Sequence, residues 1–242
     1  MKTALITGSS RGIGRAIAIR LAMDGYRVIL HGASDSCKLQ AVKHTIEENG
    51  GVAQVKVCDL TDTECVSSFC ESLPPVDVLV LNASVQYRTQ WQKITPDTCY
   101  QQLNCNFLSS LLLIQAVVEH MRKNHWGRII TIGSVQEAKP HPDMLVYSAS
   151  KAAQTNMTHS LSLQLAADGI TVNNVSPGVI YTDRNMEALA DLQYAKKVIS
   201  SIPVGFYGQP EDIAAMVSLL CSREGGYITG QSIFVDGGKS VQ

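Results

Sequence analysis

The sequence predicts an α/β fold in which helices cover both faces of a parallel β-sheet. Short runs rich in valine and isoleucine alternate with longer segments of helical periodicity, which is typical of repeated strand–helix–strand units. The short runs are almost continuously apolar, and this indicates strands that are buried on both faces. A glycine-rich turn lies between the first strand and the first helix.

The alternation of strands and helices can be followed along the whole chain. The predicted strands span residues 3–7, 27–30, 53–57, 76–81, 128–132, 171–175 and 233–235. The predicted helices span residues 14–24, 38–48, 62–73, 97–123, 147–167 and 210–221. Because no linker rich in serine, proline or glycine separates these elements, we expect one domain over residues 1–242.

One segment interrupts the alternation. Residues 177–208 separate the sixth strand from the last helix, and Met186, Leu189 and Leu192 are spaced as on one helical face. In an open parallel sheet, such an insertion lies at the carboxyl edge of the strands, where ligands bind. We therefore expect residues 178–208 to form a lid over a ligand.

The composition is that of an ordinary folded chain and argues against several classes of protein. Of the 242 residues, 45% are hydrophobic and 17% are charged, and the net charge of −1 gives no basic surface for nucleic acid. The seven cysteines contain no Cys-x-x-Cys pair and the histidines no His-x-x-x-His pair, so we expect free thiols and no metal site. No apolar run approaches the roughly 20 residues of a membrane helix, and the first residues do not resemble a signal peptide. These features predict a cytoplasmic protein.

The glycine-rich turn reads T-G-S-S-R-G-I-G over residues 7–14. Glycines allow the backbone to turn tightly and to approach a pyrophosphate, whose charge is stabilised by the free N–H groups at the start of a helix. A plain strand-to-helix turn would also explain three glycines, but the position after the first strand favours a nucleotide. The predicted phosphate-binding residues are Gly8, Ser10, Arg11, Gly12, Ile13 and Gly14.

Three side chains from two segments suggest chemistry on a carbonyl group. Tyr147 and Lys151 lie one helical turn apart, and Ser134 follows the fifth strand at the carboxyl edge of the sheet. A free phenol has a pKa of about 10, and a nearby ammonium lowers that pKa, which makes the phenol a better acid and base. A serine hydroxyl can bind the substrate oxygen while charge develops on it. A tyrosine and a lysine on an ordinary helix would look the same in isolation, but the joint pattern predicts a hydride-transfer enzyme.

The T-G-x-x-x-G-x-G turn, Ser134 and the Y-x-x-x-K motif together resemble the short-chain dehydrogenase/reductase family, and the similarity covers essentially the whole chain. The resemblance implies a three-layer Rossmann fold, with a doubly wound seven-stranded sheet of order 3-2-1-4-5-6-7. It implies that Tyr147 is the general acid and base, that Ser134 orients the carbonyl and that Lys151 also binds the nicotinamide ribose. It further implies that Asn106 holds a water in a proton relay, with the nearby Asn104 as a second candidate.

The resemblance also implies a set of contacts to a dinucleotide. They are Asp59 and Leu60 for the adenine, Asn82 and Ala83 for its ribose, and Pro177, Gly178, Ile180 and Thr182 for the carboxamide. Asp59 could instead be only a helix N-cap, and the Pro-Gly pair only a turn. Ser84 stands where the family has a glycine, so we expect a local adjustment of the cofactor fit. The segment V-D-G-G at 235–238 matches a structural signature at a subunit interface, and the resemblance implies a homotetramer.

The sequence favours NADP(H) over NAD(H). Gly32, at the end of the second strand, offers no carboxylate that would repel a 2′-phosphate. Arg11 matches the basic residue that binds the 2′-phosphate in NADPH-specific members of the family that the chain resembles. Ser34 could donate a hydrogen bond to the same phosphate. Asp35 is counter-evidence because it has about the spacing of an NAD-binding acid, but we expect it in the following loop.

The segment 126–134 is most similar to the 3-oxoacyl-(acyl carrier protein) reductases of fatty-acid biosynthesis. This resemblance implies reduction of the ketone of a 3-oxoacyl thioester. At two positions where such enzymes use basic residues for the acidic carrier, the chain has His125 and Asp168. Arg122, Lys123 and Arg128 could substitute, whereas Asp168 would repel the carrier.

Two alternatives remain for the function. Polar residues at 136–144 could contact a hydroxylated or charged substrate, or form a solvated loop, so a sugar, polyol or steroid-type alcohol dehydrogenase is the second interpretation. A non-catalytic NADPH-binding regulator is the third. Ser134, Tyr147 and Lys151 argue against this last interpretation, because a binding protein needs no proton donor.

Overall fold

The computed structural model describes residues 1–183, 185–186 and 190–242, and these residues form a seven-stranded parallel sheet. The strands are β1 (Thr3–Ile6), β2 (Arg27–Gly32), β3 (Val52–Val57), β4 (Val78–Leu81), β5 (Gly127–Ile132), β6 (Ile170–Pro177) and β7 (Ser232–Val235). Their order is β3-β2-β1-β4-β5-β6-β7, which confirms the predicted doubly wound Rossmann fold. The order reverses beside β1, and such a reversal opens a ligand-binding crevice at the carboxyl ends of the strands.

Helices pack on both faces of this sheet. In the described part of the chain they are α1 (Gly12–Met23), α2 (Cys37–Glu48), α3 (Thr63–Glu71), α4 (Pro96–Leu103), α5 (Ser109–Lys123), α6 (Leu145–Leu165), α7 (Leu192–Ser200) and α8 (Pro210–Cys221). Apolar side chains of α1, α2 and α8 form one core with the sheet, and those of α3, α5 and α6 form the other. The two cores use alternate residues of the same strands, which explains why the strands are almost continuously apolar.

The long helix predicted over residues 97–123 is interrupted by a π-helical turn that the sequence did not predict. Helix α4 ends at Leu103, a π-helical turn follows over Asn104–Leu108, and α5 begins at Ser109. The apolar period of the sequence continues through the break, because a π-turn inserts residues without ending the helical rod. Such turns are frequent at functional sites, and this one contains Asn106.

The segment expected to form a lid leaves the sheet after β6. Ile180 pairs with Gly208 in a parallel bridge, so the two ends of the segment lie side by side. Leu192 begins α7 and is 76% exposed, and Met186 is also exposed, while Leu189 lies outside the described residues. The closing movement of a lid stays a prediction.

Among the described residues, no helix combines the length and the apolar character needed to cross a membrane.

Candidate active site

A cavity of about 530 Å³ opens at the carboxyl ends of the central strands. Its wall contains nearly all of the residues predicted to bind cofactor or substrate, namely Gly8, Ser10, Arg11, Gly12, Ile13, Gly14, Asp59, Leu60, Asn82, Ala83, Ser134, Tyr147, Lys151, Pro177, Gly178, Ile180 and Thr182. Two predicted residues are not part of this wall. Ser34 is exposed beyond the end of β2, and Asn106 is buried behind the cavity.

The glycine-rich turn is packed so tightly that a side chain at Gly14 would not fit. A Cβ there would collide with the carbonyl oxygen of Gly8 and would lie 2.5 Å from Nδ2 of Asn82. This Nδ2 donates to the carbonyl oxygens of Thr7 at 2.9 Å and Gly8 at 3.1 Å. Asn82, which the sequence suggested as a ribose contact, therefore also fixes the turn.

The start of helix α1 is available for an anion. Its N-cap residue, Arg11, makes no side-chain capping hydrogen bond, and Gly12, Ile13 and Gly14 of the first turn line the cavity. Uncapped N–H groups and the positive end of the helix dipole favour a phosphate at such a position. The turn thus fits a pyrophosphate group.

His31 supports the glycine-rich turn from inside the protein. Its ring accepts a hydrogen bond at Nδ1 from the Gly8 N–H at 3.2 Å and donates from Nε2 to the Cys58 carbonyl at 3.0 Å. Burial lowers the pKa of His31 to about 4, so the ring is neutral and has one donor and one acceptor. Sequence reasoning missed this residue, although a histidine near the end of an apolar strand was a visible signal.

We expect His31 to make the fold sensitive to moderate acid. The pKa of His31 is about 4 in the folded state and about 6.5 in an unfolded chain, so protons bind preferentially to the unfolded state. This contribution to stability is complete above pH 6.5 and is lost as the pH falls towards 4, by about 2 kcal/mol at pH 5. Urea unfolding of the wild type and His31→Asn at pH 7.5 and 5.0 measures it. The wild type should lose more stability than the variant, and equal losses would contradict the assignment.

Tyr147 and Lys151 lie on the first turns of α6, which begins at Leu145. The Lys151 side chain is 1% exposed, and its Nζ donates to the Ile132 carbonyl at 2.7 Å. This bond anchors the ammonium to the end of β5, with Nζ 5.8 Å from the centre of the Tyr147 ring. Ser134, two residues beyond Ile132, accepts a hydrogen bond at Oγ from the Gln136 N–H at 3.2 Å. A phenol, an ammonium and a hydroxyl therefore line one cavity, where a carbonyl group can be bound and protonated.

Asn106 connects the π-turn to two other segments. Its Oδ1 accepts from the Val85 N–H at 2.8 Å, and its Nδ2 donates to the Val85 carbonyl at 2.9 Å and to Ser150 Oγ at 3.0 Å. Asn104, the second candidate, donates to the Thr61 carbonyl at 3.2 Å and is directed towards α3. Of the two asparagines, Asn106 is the one beside the Tyr147 helix, and its role in a relay stays a prediction.

A buried hydrogen-bond chain runs from Lys151 to the backbone of Asn106. Lys151 Nζ donates to Gln154 Oε1 at 3.1 Å, Gln154 Nε2 donates to Ser110 Oγ at 3.1 Å, and Ser110 Oγ donates to the Asn106 carbonyl at 3.2 Å. Gln154 was not predicted from the sequence as a partner of Lys151, although it lies three residues further on the same helical face. These bonds hold the ammonium in place.

Asp59 is not the N-cap of the following helix. That position belongs to Asp62, whose Oδ1 accepts from the N–H groups of Glu64 and Cys65. Asp59 instead accepts from the N–H and hydroxyl of Thr61, at 2.9 and 2.8 Å, in a tight turn on the cavity wall.

The segment after β6 closes the cavity opposite the glycine-rich turn. The Gly178 N–H donates to the Val235 carbonyl at 3.0 Å, and a Cβ at Gly178 would lie 2.6 Å from Cα of Asp236. The Thr182 methyl group lies 3.2 Å from the position of a Cβ on Gly12, so this segment reaches the start of α1. The V-D-G-G segment therefore also supports the cavity wall from within the chain.

Basic side chains line the end of the cavity near Ser134. They are Arg88, His141 and Lys239. Lys239 Nζ donates to Ser201 Oγ at 2.6 Å, and the His141 N–H donates to Gln136 Oε1 at 2.7 Å. Asp183 also lines the cavity, but Lys38 lies 2.8 Å away and lowers the pKa of this carboxyl group. Arg88 and Lys239 therefore bring two cationic side chains to this part of the cavity wall, and the negative charge of Asp183 is offset by Lys38.

Of the three basic residues expected to bind an acidic carrier protein, two make contacts within this chain instead. Arg128 is 4% exposed and packs over Trp126, so the interpretation of Arg128 as a docking residue is wrong. Arg122 binds Asp168 at 3.0 Å and Glu119 at 2.6 Å. Asp168 is thus partly neutralised by Arg122, and Lys123 remains exposed.

The fold and the side chains at its carboxyl edge define an oxidoreductase with a Rossmann-type nucleotide cavity. The chain belongs to the short-chain dehydrogenase/reductase family, because the family described as short chain dehydrogenase matches residues 2–193. A 3-oxoacyl-[acyl-carrier-protein] reductase of Rickettsia bellii is 39% identical over 237 residues, with 98% of this chain and 96% of the relative covered. The 3β-hydroxysteroid dehydrogenase 1 of Eggerthella lenta is 33% identical, with 99% and 94% covered.

Solved structures agree with this assignment. A protein described as an NAD(P)-dependent gluconate 5-dehydrogenase, from Beutenbergia cavernae with bound NADP, superposes with a TM-score of 0.95 at 32% identity and covers 100% of this chain and 97% of its own. A 3-oxoacyl-(acyl-carrier-protein) reductase of Agrobacterium tumefaciens with NADP bound has a TM-score of 0.92 at 36% identity, with 98% and 93% covered. The chain is therefore an oxidoreductase that acts on CH–OH or carbonyl groups.

Proposed function

We propose that this protein reduces a ketone to a secondary alcohol with NADPH. The observation that supports this proposal is that Ser134, Tyr147 and Lys151 line the same cavity as the glycine-rich turn. A proton donor and a pyrophosphate-binding turn in one cavity are what carbonyl reduction by a dinucleotide requires. A regulator that only binds a dinucleotide would have no use for the buried and hydrogen-bonded ammonium of Lys151.

The dinucleotide would be held by the residues around the glycine-rich turn and the strand ends. We propose that the pyrophosphate contacts are Gly8, Ser10, Arg11, Gly12, Ile13 and Gly14, and that the other contacts are Asp59, Leu60, Asn82, Ala83, Tyr147, Lys151, Pro177, Gly178, Ile180 and Thr182. The uncapped start of α1 supports the first group, and bound NADP in related solved structures supports the whole. When bound, the nicotinamide supplies a hydride to the carbonyl carbon.

The chain itself would bind the carbonyl oxygen and provide the proton. Ser134 Oγ donates a hydrogen bond to this oxygen, and the Tyr147 hydroxyl donates the proton that completes the alcohol. Lys151 stabilises the phenolate that is left behind, because its ammonium is held near the ring by Ile132 and Gln154. Gln154 is fixed behind the lysine because its Nε2 donates to Ser110 Oγ, which in turn donates to the Asn106 carbonyl.

We propose that the cofactor is NADP(H) and not NAD(H). Gly32 and Arg11 line the cavity, so the end of β2 itself offers no carboxylate and a 2′-phosphate there would meet a guanidinium. The Asp183 carboxylate, which also interacts with Arg11, is paired with Lys38 at 2.8 Å. Asp35, the counter-evidence in the sequence, is exposed and accepts a hydrogen bond from Gln40 at 2.7 Å. Ser34 is also outside the cavity wall, so it contributes less support than the sequence suggested.

Arg11→Ala should raise the KM for NADPH roughly tenfold or more, because a charged hydrogen bond to a phosphate contributes about 1.5–3 kcal/mol. The KM for NADH should change less than about twofold, since NADH has no 2′-phosphate. Initial rates with both cofactors measure the difference. Arg15→Ala is the matched control, because Arg15 is exposed on α1 outside the cavity wall. An equal change in both KM values would contradict the cofactor proposal.

A 3-oxoacyl thioester is the first substrate that we propose. Curated relatives named as 3-oxoacyl-[acyl-carrier-protein] reductases, at 35–39% identity and over nearly the full length of the chain, support it. The internal pairing of Arg122 and the burial of Arg128 provide little surface charge for an acidic carrier protein. We therefore propose that the thioester is recognised mainly through its acyl group.

An acidic sugar is the second candidate. Arg88, His141 and Lys239 line the substrate end of the cavity, and an electropositive pocket favours a carboxylate on the substrate. The solved structure described as a gluconate 5-dehydrogenase supports the same class of substrate.

A substrate panel separates the two candidates. Oxidation of NADPH should be followed with acetoacetyl-coenzyme A, a keto-aldonate, a neutral diketone and a 3-ketosteroid. We expect kcat/KM for the thioester to exceed that for the neutral diketone roughly tenfold or more, since remote binding groups increase kcat/KM. A higher value for the keto-aldonate would establish the second candidate in place of the first. Tight NADPH binding without turnover of any carbonyl would favour the regulator.

The resemblance also suggests an assembly and a location for this protein. We propose a homotetramer that uses the face of α5 and α6, where Phe107, Leu111, Met157 and Leu161 line a shallow apolar hollow. Of the apolar stretch 111–114, Leu113 and Ile114 belong to the core, so Leu111 and Leu112 are the outward residues. A cytoplasmic location, one domain over 1–242 and a lid at 178–208 remain part of the same proposal.

A further inference from the structure

Two cysteines form a close thiol pair beside the adenosine end of the cavity. Cys58 directly follows β3, Cys65 lies in the first turn of α3, and their Sγ atoms are 2.9 Å apart. The turn between them is fixed by Asp62, which caps α3 and accepts from the Cys65 N–H at 3.2 Å. Free thiols were predicted from the sequence, because its seven cysteines contain no Cys-x-x-Cys pair.

Cys58 is part of the cavity wall and is hydrogen-bonded to its neighbours on that wall. Its N–H donates to the Gly32 carbonyl at 3.0 Å, and its carbonyl accepts from His31 Nε2 at 3.0 Å. The same histidine ring accepts from the Gly8 N–H at 3.2 Å. One connected set of bonds therefore links the backbone of Cys58 with the end of β2 and with the glycine-rich turn.

The two thiols differ in access to solvent. Cys58 is 3% exposed, whereas Cys65 is partly exposed. Burial, followed by the contact with Cys65, raises the pKa of the Cys58 thiol. A small oxidant in solution would therefore meet Cys65 first, and Cys58 would be the second thiol to react.

We propose that a peroxide oxidises Cys58 and Cys65 to an intramolecular disulfide, and that this disulfide weakens dinucleotide binding. The Cys65 thiol loses its proton and its sulfur attacks one oxygen of hydrogen peroxide. The O–O bond breaks, a sulfenic acid forms, and the leaving hydroxide takes up the proton to become water. The Cys58 sulfur then attacks the sulfenic sulfur, the S–O bond breaks, and a second water leaves with the proton of Cys58. Two thiols are oxidised by two electrons, and one peroxide is reduced to two waters.

The disulfide would change the wall of the cavity because the sulfurs must approach each other. An S–S bond is about 2.05 Å long, so the two sulfur atoms must move about 0.9 Å closer together. Cys58 transmits this movement to Gly32 and His31 through its backbone hydrogen bonds. This step rests on the proposed function, in which a dinucleotide occupies the cavity. By thermodynamic linkage, bound NADPH disfavours the disulfide by the same factor by which the disulfide weakens NADPH binding.

The test treats the reduced full-length chain with hydrogen peroxide, alkylates the remaining thiols and maps the cross-linked peptides by mass spectrometry. We expect a Cys58–Cys65 link, formed more slowly when NADPH is present. The dissociation constant of NADPH, from its fluorescence, should rise roughly fivefold or more after oxidation and return after treatment with dithiothreitol.

Two variants serve as controls. Cys65→Ser should bind NADPH like the reduced wild type and should not respond to peroxide, whereas Cys37→Ser, which removes an exposed thiol elsewhere, should respond like the wild type. Oxidation of Cys37 without any Cys58–Cys65 link would overturn the proposal, and so would a link with unchanged NADPH affinity. Failure of the reduced chain to bind NADPH would contradict the proposed function instead, and peptide mapping would still decide whether the thiols pair.

Discussion

Tyr147→Phe should lower kcat for ketone reduction by roughly 1,000-fold, within the range observed when a general acid is removed. Phenylalanine keeps the ring that packs beside Lys151 but lacks the hydroxyl that we propose as the proton donor. Two hydrogen bonds of Lys151, to the Ile132 carbonyl and to Gln154 Oε1, are retained in the variant. Steady-state rates with a substrate from the panel measure the loss.

The binding of NADPH to the Tyr147→Phe variant should change less than about threefold, since the dinucleotide has many other contacts. Fluorescence titration of NADPH therefore separates lost chemistry from lost binding. Tyr100→Phe is the matched control, because Tyr100 is exposed on α4 away from the cavity, and its turnover should equal that of the wild type. Retained turnover in Tyr147→Phe would remove the assigned acid.

Gly14→Ala should damage both the fold and the dinucleotide site. The added methyl group would collide with the Gly8 carbonyl and would lie 2.5 Å from Asn82 Nδ2, so the turn must move or lose the Asn82 hydrogen bond. Overpacking of this kind costs about 1–3 kcal/mol, and a lost buried hydrogen bond adds about 1 kcal/mol. The gain of up to about 1 kcal/mol in helix propensity from glycine to alanine is smaller, so the net change is destabilising.

We therefore expect Gly14→Ala to unfold at a lower urea concentration, by about 1–3 kcal/mol in the free energy of unfolding, and to bind NADPH at least about tenfold more weakly. Gly226→Ala is the control, because a Cβ there has the Arg128 Nη2 at an ordinary 3.5 Å as its nearest neighbour. Its stability should stay within about 0.5 kcal/mol of the wild type. Wild-type stability and affinity in Gly14→Ala would show that the turn is looser than described.

The difference between these two glycines could not be read from the sequence. Both lie next to residues that are compatible with a helix, and the sequence indicated only that Gly14 belongs to a predicted phosphate-binding turn. The space around Gly14 depends on how the first strand, the glycine-rich turn and Asn82, which follows β4, pack together. Such distances result from packing between elements that are far apart along the chain.

The pairing of Arg122 with Asp168 and the chain from Lys151 through Gln154 are of the same kind. All of these residues are visible in the sequence, but the sequence does not show that they pair. Arg122 and Asp168 are far apart along the chain, and Gln154 was not predicted as the partner of Lys151. The π-turn at Asn104–Leu108 was also hidden, because it leaves the apolar period of the surrounding helices nearly unchanged.

The sequence by itself determined the fold class, the strand order through its family resemblance, and the edge of the sheet where Ser134, Tyr147 and the glycine-rich turn meet. The fold class and the edge of the sheet follow from local periodicity and short spacings, which a chain carries wherever it folds, whereas the strand order was implied only by the resemblance. Only the tertiary structure decided that His31 supports Gly8, that Cys58 meets Cys65, that Arg128 is buried and that Ser34 lies outside the cavity wall. These facts depend on contacts between side chains and on the exclusion of solvent, and both exist only once the strands and helices have packed together.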